Sequence, residues 1–507
     1  MTSRGRVVML VDNGVEGDSR VQKQARSMAE TGWDVTLIGL TAVGSARERW
    51  MVGRAEVRLY GIRAPLRHHW STFRRSWRRP LAYPPGPTAG YRLQLVRARR
   101  ADLVTRFGEL ATDRPTLIRR AGLLRSRVAL KVLKHWTRFR HQELRRLEAE
   151  RENELSFSHR AAIAWWTATR GVRSWRRLDP ALWDYELALG PIVDDLAPDL
   201  IHANDYRMIG VGARAKLRAA AHGRTVRLVW DAHEDVAGMP RRPGQPRWLP
   251  AQIAHEREYA RHADAVVTVS PALADLLQQR HGLARTPAVV LNCPDAPDAE
   301  PDGKLRADCG IGPDTPLMAY CGGLTAVRGV DLVVQGLPRL PGLHLALVSL
   351  HPNGSRAGAD PIASLAAELG VADRVHLLPY VPHDRLVPYL TAADCAVSPL
   401  RHLPNHEIAL SNKFFEYSQA RLPLVVSDVR AMAATVRETG QGEVYDADDV
   451  HDLVRAVRAV LAEPAGYRAA YEKPGLLDGW TWRAQAGVLD DVYRELLPAP
   501  SRPPVTD

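Results

Sequence analysis

The sequence has few cysteines and no long apolar run. Its 507 residues include four cysteines, and none of them stands in a CxxC pair. Apolar runs fall well short of the ~20 residues that a membrane-spanning helix needs, which argues against an integral membrane protein. Residues 1–11 lead directly into a strand-like pattern rather than a secretory signal. We therefore expect a reducing, cytosolic location without disulfides.

Several motifs of common enzyme chemistries are also missing. The loop after the first predicted strand offers only Gly14 and Gly17 where a dinucleotide site needs GxGxxG, which disfavours a nicotinamide enzyme. No HExxH zinc motif or GxSxG nucleophile elbow occurs. The DxD pattern at 446–448 directly precedes an amphipathic helix, so helix capping explains it better than a divalent metal does. The sequence predicts no required metal or cofactor.

Positive charge is concentrated in one segment. The formal net charge of the chain is +12. Residues 61–180 carry 28 Lys and Arg against 9 Asp and Glu, whereas the remainder carries 41 against 48. The segment also holds six of the thirteen tryptophans. Nucleic acid, an anionic membrane or a phosphate-bearing ligand would each suit such a charge. Because the excess charge lies in this segment, we expect such a partner to bind here and not along the whole chain.

Short apolar strands alternate with helical patterns in both halves of the chain, which predicts α/β architecture. The predicted strands of the first half are 7–11, 35–40, 57–62, 200–203, 228–230 and 265–269. After a Pro- and Asp-rich linker at 294–303, those of the second half are 317–320, 343–348, 375–378, 395–398 and 424–427. We expect an N-terminal domain over 1–293, a second domain over 304–475, a helix within 476–497 that crosses back to the first domain, and a disordered tail at 498–507.

The basic segment, about 65–180, interrupts the first domain between its third and fourth predicted strands. Within it, residues 124–140 suit a helix with Leu124, Val128, Val132, Trp136 and Phe139 on one face. Basic residues form an adjoining stripe, which suits a helix lying on an anionic lipid surface. The alternative is a helix whose apolar face packs on the domain while its charges are solvated.

Seven short stretches, taken in order and spacing, resemble the retaining glycosyltransferases of family 4. The resemblance implies a GT-B architecture, in which two Rossmann-like doubly wound domains face a cleft, here with a basic helical insertion in the first. It implies a metal-independent enzyme that moves a sugar from a nucleoside-diphosphate sugar to an acceptor hydroxyl. The stretches are 18–32, 198–205, 230–234, 263–270, 290–292, 320–329 and 411–426.

The resemblance assigns a donor site to the second domain. Arg328 and Lys413 would neutralise charge on the departing diphosphate, and Glu416 would accept hydrogen bonds from the ribose hydroxyls. The remaining candidate donor contacts are Gly14, Gly322, Gly323, Asn412 and Glu407.

On the first domain, the resemblance places His233 near the anomeric carbon of the donor sugar, after a strand end where ligands of open α/β sheets bind. A satisfied buried histidine is the alternative. Asn204 and Asp205 follow another strand and are candidates for the cleft wall. Arg20 could reach a phosphate, although a pairing with Asp18 is slightly favoured.

Two positions depart from the family pattern. Many relatives carry two glutamates separated by seven residues, but the position paired with Glu416 is Ile408 here, and Glu407 lies one residue away. Many relatives also have Arg where this chain has Gly323, which leaves more of the phosphate charge to Arg328 and Lys413.

The sequence therefore predicts a glycosyltransferase whose acceptor is a lipid-linked or cell-surface glycan precursor, cytoplasmic and peripheral on the inner membrane face. A catalytically inactive relative acting as an interaction subunit is one alternative, motivated by the two departures. A nucleic-acid-binding module in 61–180 is another, since basic residues interleaved with tryptophan can bind phosphates and stack bases.

Overall fold

The computed structural model describes residues 4–41, 48–63, 66, 79–112, 117–152, 157–295, 303–348 and 358–498. The chain divides into two compact units. The first comprises Met1–Ile62, Tyr185–Met239 and His255–Asp507, and the second comprises Arg63–Asp184 and Pro240–Ala254. Among the described residues, no helix is both long and apolar enough to span a membrane.

The first unit contains two sheets, and the strands predicted from the sequence are present in them. The sheet formed by the N-terminal half has the order β3-β4-β2-β1-β5-β6-β7-β8, with only β3 antiparallel to its neighbour. Its strands are β1 (Arg6–Leu10), β2 (Asp34–Thr41), β3 (Arg49–Val52), β4 (Ala55–Gly61), β5 (Leu200–Asn204), β6 (Arg227–Ala232), β7 (Ala265–Thr268) and β8 (Ala288–Val289). The sequence did not predict β3. With β3 counted, the basic segment follows the fourth strand of the chain, whereas the sequence placed it after the third.

The second sheet is parallel throughout, in the order β11-β10-β9-β12-β13-β14. Its strands are β9 (Leu317–Cys321), β10 (His344–Val348), β11 (Val375–Leu378), β12 (Cys395–Ser398), β13 (Leu424–Ser427) and β14 (Gly442–Tyr445). Residues of β9 alternate between two hydrophobic clusters, one on each face. Both faces are therefore covered, as expected for a parallel sheet.

Helices cover the two sheets and form the basic segment. Those of the N-terminal half are α1 (Ser19–Glu30), α2 (Pro87–Thr112), α3 (Leu117–Glu152), α4 (Phe157–Arg170), α5 (Trp175–Leu178), α6 (Leu182–Leu196), α7 (Asp205–Ala221), α8 (Trp248–Tyr259) and α9 (Pro271–His281). Those of the C-terminal half are α10 (Lys304–Cys309), α11 (Val330–Gly336), α12 (Ala359–Glu368), α13 (His383–Leu390), α14 (Pro404–Ile408), α15 (Asn412–Gln419), α16 (Arg430–Thr439), α17 (Val450–Ala462), α18 (Pro464–Ala469) and α19 (Trp482–Leu496).

Helix ends follow local capping chemistry. Asp18 accepts a hydrogen bond from the Val21 amide and caps the start of α1. The last helix, α19, returns to the first sheet, where Trp482, Leu489 and Tyr493 belong to the hydrophobic core around β1 and β2. Residues 296–302 of the predicted linker and 499–507 of the predicted tail lie outside the described residues.

The strand order defines where ligands can bind. In the first sheet, the order reverses between β1 and β5, and in the second between β9 and β12. At such a point the loops leaving two adjacent parallel strands diverge and open a crevice at their carboxyl ends. The candidate residues should therefore be found after β1, β5 and β6 in the first sheet and after β9 and β12 in the second.

Candidate active site

Helix α15 is fixed beside the carboxyl end of β9. Phe414 and Phe415 are buried and pack edge-on against Trp480. The hydroxyl of Tyr417 accepts a hydrogen bond from the backbone amide of Cys321 at 2.8 Å. The helix is therefore held from its apolar side, and its polar residues near Cys321 are placed on a rigid element.

Lys413 and Glu416 lie three residues apart on α15, a spacing that puts them on one face. Each is only 9% exposed. Burial lowers the pKa of Lys413, and the charge of Arg328 nearby lowers it further, whereas Cys321 and Glu416 oppose the shift. Within the described part of the chain, neither side chain has a hydrogen bond or an ion pair to another residue.

Gly322 makes room for Lys413. A Cβ at this position would lie 2.3 Å from Cε of Lys413 and 2.6 Å from the hydroxyl of Tyr320. By contrast, a Cβ on Gly323 would meet no atom within 4 Å. Glycine is therefore needed at position 322 to leave space for the lysine. At position 323 a larger residue would meet no clash.

Arg328 is placed by a tight turn after β9. It ends a short 3₁₀ turn, Ala326–Arg328, and is followed by Gly329 with φ of +69°. A Cβ on Gly329 would lie 1.9 Å from the carbonyl oxygen of Pro399, the residue that follows β12, so only glycine fits. The Arg328 guanidinium is half-buried and makes no hydrogen bond or ion pair to any residue that the structure describes.

Two further donor candidates are less closely tied to this group. Asn412 is the first residue of α15, and the hydroxyl of Ser411 before it is buried without a hydrogen-bond partner among the described residues. Gly14 lies in the loop after β1, and a Cβ on it would come no closer than 3.7 Å to the Leu40 carbonyl oxygen. Steric space therefore does not require glycine at position 14.

Both carboxylate oxygens of Glu407, the residue next to the place of the missing family glutamate, have hydrogen-bond partners. One carboxylate oxygen accepts a hydrogen bond from Nδ1 of His402 at 2.6 Å, and the other accepts one from the Arg430 amide at 2.8 Å. The carboxylate therefore closes the N-terminus of α16 and pairs with a histidine. Both of its oxygens thus have partners within the protein, and a contact of Glu407 with sugar hydroxyls stays a prediction.

His233 follows β6 and rests on a buried carboxylate. Its Nε2 lies 3.3 Å from Asp231, and the side chain is 24% exposed, although Nε2 itself is buried. Burial opposes a charge on the ring, but the neighbouring Asp231 carboxylate outweighs it and raises the pKa of His233 above its ordinary value. The exposed part of the ring is therefore the part away from Asp231.

Asp231 is the centre of a buried polar network. Arg20 binds it through two hydrogen bonds of 2.9 Å, and Gln24 donates a third at 2.6 Å. Burial alone would raise the pKa of Asp231, but Arg20 and His233 hold it well below its usual range. Both Arg20 and Gln24 belong to the helix that the family resemblance picked out at 18–32.

This network corrects two expectations. Arg20 pairs with Asp231 and not with Asp18, and at 3% exposure it is a support behind His233 and not a phosphate ligand. Asn204 is fully buried and donates a hydrogen bond to the Leu10 carbonyl at 3.1 Å. It therefore ties β5 to β1 and does not line a cleft.

An acidic cluster, which sequence reasoning largely missed, lies at the carboxyl ends of β1, β5 and β6. Asp12 forms an ion pair with Arg207. Asp205 has a left-handed φ of +69°, and burial raises its pKa to about 6. Burial, with Asp205 next in effect, raises the pKa of Glu234 to about 7. Only Asp205 was predicted, although the other acids also follow strand ends.

Lys23 of α1 is a second residue that the sequence did not single out. Its ammonium donates a hydrogen bond to Asn292 at 3.1 Å and lies over the ring of Trp482. Burial lowers its pKa to about 8, and the charges of Asp295 and Glu416 oppose that shift. The interaction with Glu416 shows that α1 of the first sheet approaches α15 of the second.

The described residues contain no group of three or more His, Cys, Asp or Glu placed to hold a metal ion. The DxD pattern is used otherwise: Asp448 pairs with Arg401, and Asp449 caps α17 through the amides of His451 and Asp452. The helix cap is thus the residue directly after the pattern. All four cysteines are buried and free.

Comparison with known proteins matches both halves of the chain to glycosyltransferase families. Residues 126–294 match "Glycosyltransferase Family 4" and residues 315–463 match "Glycosyl transferases group 1". The first match begins within α3, so part of the segment taken as an insertion belongs to the family domain. The sequence had predicted an insertion over about 65–180.

Similar proteins include a D-inositol 3-phosphate glycosyltransferase from Nocardia farcinica, 29% identical over 36% of this chain and 45% of its own length. The chain thus spans less than half of that relative. A GDP-mannose-dependent alpha-(1-6)-phosphatidylinositol monomannoside mannosyltransferase from Mycolicibacterium smegmatis is 26% identical over 60% of this chain and 80% of its own length.

Among solved structures, sucrose-phosphate synthase from Thermosynechococcus elongatus superposes with a TM-score of 0.62 at 17% identity, covering 97% of this chain and 98% of that one. This likeness concerns the fold, which is GT-B. With two matched family models and two Rossmann-like domains carrying the family stretches in order, the chain belongs to the family 4 group of GT-B glycosyltransferases.

Proposed function

We propose that the protein transfers a sugar, with retention of anomeric configuration, from a nucleoside-diphosphate sugar to an acceptor hydroxyl. The observation that carries the proposal is the pair Lys413 and Glu416, each nine-tenths buried and without a hydrogen bond or ion pair in the described structure. A buried charge without a partner is costly in a folded protein. A ligand that supplies both an anion and hydrogen-bond donors would satisfy both residues at once.

A nucleoside-diphosphate sugar supplies both kinds of group. Lys413 and Arg328 would hold the diphosphate, where negative charge grows as the glycosidic bond breaks. The two hydroxyls of the ribose would donate to the Glu416 carboxylate. Gly322 and Gly323 would let the backbone approach the phosphates, and Asn412 opens α15, whose N-terminal amides favour an anion.

The reacting centre would lie between this donor site and His233. The bond between the anomeric carbon and the diphosphate oxygen breaks, and the acceptor oxygen forms its bond on the same face. The proton of the acceptor hydroxyl passes to the departing diphosphate, so no separate base is needed. His233, held on Asp231, would contact a hydroxyl of the donor sugar, and Asp205 and Glu234 would accept hydrogen bonds from the acceptor.

The acceptor is proposed to be a lipid-linked or cell-surface glycan precursor. Two observations support this: the Mycolicibacterium relative is named for a phosphatidylinositol monomannoside substrate, and residues 61–180 carry a large excess of positive charge. Transfer would then take place in the cytoplasm at the inner face of the membrane, with a nucleotide sugar as the soluble substrate.

A thermal-shift screen of the purified chain against nucleotides and nucleotide sugars tests the donor site. A bound donor raises the melting temperature in proportion to the logarithm of its concentration over its dissociation constant. We expect one donor to raise it in the wild type and to have no effect on Glu416→Ala or Arg328→Ala. Arg421→Ala, which removes an exposed ion pair with Glu472, is the control and should keep the shift.

A full donor shift in both Glu416→Ala and Arg328→Ala would refute the donor assignment. Once a donor is identified, turnover in EDTA tests metal independence, and the anomeric configuration of the product, read by NMR, tests retention. Donor binding without hydrolysis or transfer to any acceptor would favour the catalytically inactive relative instead.

A further inference from the structure

Exposed apolar side chains are concentrated in the second unit. Seventeen large hydrophobic residues of the described chain are exposed, and eleven of them lie between Arg63 and Asp184. The described part of the unit also has buried apolar residues, which include the cluster Ala82, Tyr83, Ala89, Leu144 and Leu147 and, further along the chain, Trp175, Leu178 and Ala251. Burial within this unit nevertheless leaves much of its apolar surface in contact with solvent.

Five of these exposed residues form a continuous stripe on α3. Leu124, Val128, Val132, Trp136 and Phe139 are between 42% and 65% exposed. At 3.6 residues per turn they fall within an arc of about 120° and cover ~22 Å of the helix. Trp136 and Phe139 stack with ring centroids 5.9 Å apart. The two rings therefore form one continuous apolar surface at the C-terminal end of the stripe.

The stripe is distinct from the face by which α3 packs. Leu144 and Leu147 belong to the core of the unit, and Thr137 is 2% exposed. Thr137 and Leu144 project roughly opposite the middle of the stripe, whereas Leu147 projects about 80° from it, beyond the C-terminal end of the stripe. The sequence allowed the alternative that the apolar face of 124–140 packs on its own domain, but the structure leaves that face exposed.

A basic stripe adjoins the apolar one. Arg127, Lys131, Lys134 and Arg138 occupy a neighbouring arc of about 60°. Lys131 and His135 also border the shallow depression formed by Val132, Trp136 and Phe139. Cations along one edge of an apolar stripe are the pattern of a helix that lies in the interface of an anionic membrane.

We propose that α3 docks the protein on an anionic phospholipid surface. The apolar side chains of Val132, Trp136 and Phe139 enter the boundary between headgroups and acyl chains, while the basic side chains next to them contact lipid phosphates. A second copy of this chain is a poorer partner because it would bring two basic stripes together. The proposal says where the enzyme of the proposed function would act. Its evidence comes from α3 and is independent of the donor site.

Flotation of the full chain with vesicles tests the proposal. We expect binding to phosphatidylcholine vesicles containing ~30% phosphatidylglycerol, weakening as salt rises, and at least tenfold weaker binding to pure phosphatidylcholine. Val132→Ser/Trp136→Ser and Lys131→Glu/Arg138→Glu should each weaken binding to the anionic vesicles at least tenfold. Because these side chains are exposed, the variants should fold normally.

Leu187→Ser/Leu217→Ser, which removes two exposed apolar side chains outside the second unit, is the matched control and should bind like the wild type. Equal binding of all variants, or equal binding to neutral and anionic vesicles, would overturn the proposal. So would wild-type dimers in light scattering that the stripe variants abolish, or oligonucleotide binding by the wild type without flotation. The donor-induced thermal shift, measured on the same samples, reports separately on the proposed function.

Discussion

Gly322 and Lys413 are matched to each other: a Cβ on the glycine would lie 2.3 Å from Cε of the lysine. The two residues are 91 positions apart in sequence, one after β9 and the other on α15. The lysine side chain thus crosses the backbone at the point where β9 ends. This close approach fixes where its charge lies relative to Arg328 and Glu416.

Gly322→Ala is expected to weaken donor binding at least tenfold, about 1.4 kcal/mol. The new methyl group must displace the lysine or the Tyr320 hydroxyl, since both lie within 2.6 Å of the Cβ position. Isothermal titration with the identified donor measures the effect. Gly323→Ala is the control because its Cβ meets no atom within 4 Å, and equal affinities in the two variants would contradict the steric account.

Lys413→Met is expected to abolish donor binding without lowering the stability of the ligand-free protein. The substitution keeps much of the aliphatic volume and removes a buried, unpaired charge, a change that is commonly neutral or stabilising. Thermal unfolding without and with the donor separates the two effects. A large loss of stability in the free protein would show that the ammonium has a partner within the fold.

Glu407→Gln should lower stability by about 1 kcal/mol, the usual range for loss of a helix cap. The carboxylate closes α16 and pairs with His402, so donor affinity should change less than twofold. Urea unfolding gives the first quantity and titration with donor the second. A strong loss of donor affinity with unchanged stability would show that Glu407 contacts the donor sugar.

Stability should fall as the pH rises from about 4.5 to about 7, because Glu234 keeps its proton longer in the folded state. Burial raises its pKa to about 7, so the native protein binds more protons than the unfolded chain in this window. The free energy of unfolding therefore decreases with pH.

Glu234→Gln should remove part of this slope, on the order of 2 kcal/mol over the window. The remainder should persist because burial also raises the pKa of Asp205, to about 6. Urea unfolding at a series of pH values provides the measurement. The control is Glu368→Gln, a substitution of an exposed residue on α12. An unchanged slope in Glu234→Gln would mean that its carboxyl titrates like a solvated one.

The sequence was sufficient for the strands and for the residues on α15. Buried parallel strands are short apolar runs between helical patterns, so each could be located without knowing its neighbours. Glu416 and Lys413 were found because they belong to one continuous stretch, 411–426. By contrast, the edge strands β3, β8 and β14 were missed because each has only two to four residues, most of them exposed or partly buried.

Pairings between distant residues could not be predicted. Arg20 and Asp231 are separated by 211 positions, and nothing local distinguishes that partner from the nearby Asp18. The hydrogen bonds of Glu407 could not be predicted for the same reason, since the Arg430 amide comes close to it only when α14 and α16 pack. The cluster of Asp12, Asp205 and Glu234 likewise exists only because three strands end side by side.

The sequence by itself determined the family, the α/β architecture and the existence of a basic, amphipathic helix at 124–140, since each depends on residue order and periodicity. Only the tertiary structure decided which charges have partners and which apolar faces are covered. These are properties of distance and burial, which long-range packing sets. It pairs Arg20 with Asp231, gives Lys413 and Glu416 no partner among the residues that the structure describes, and leaves the stripe on α3 exposed.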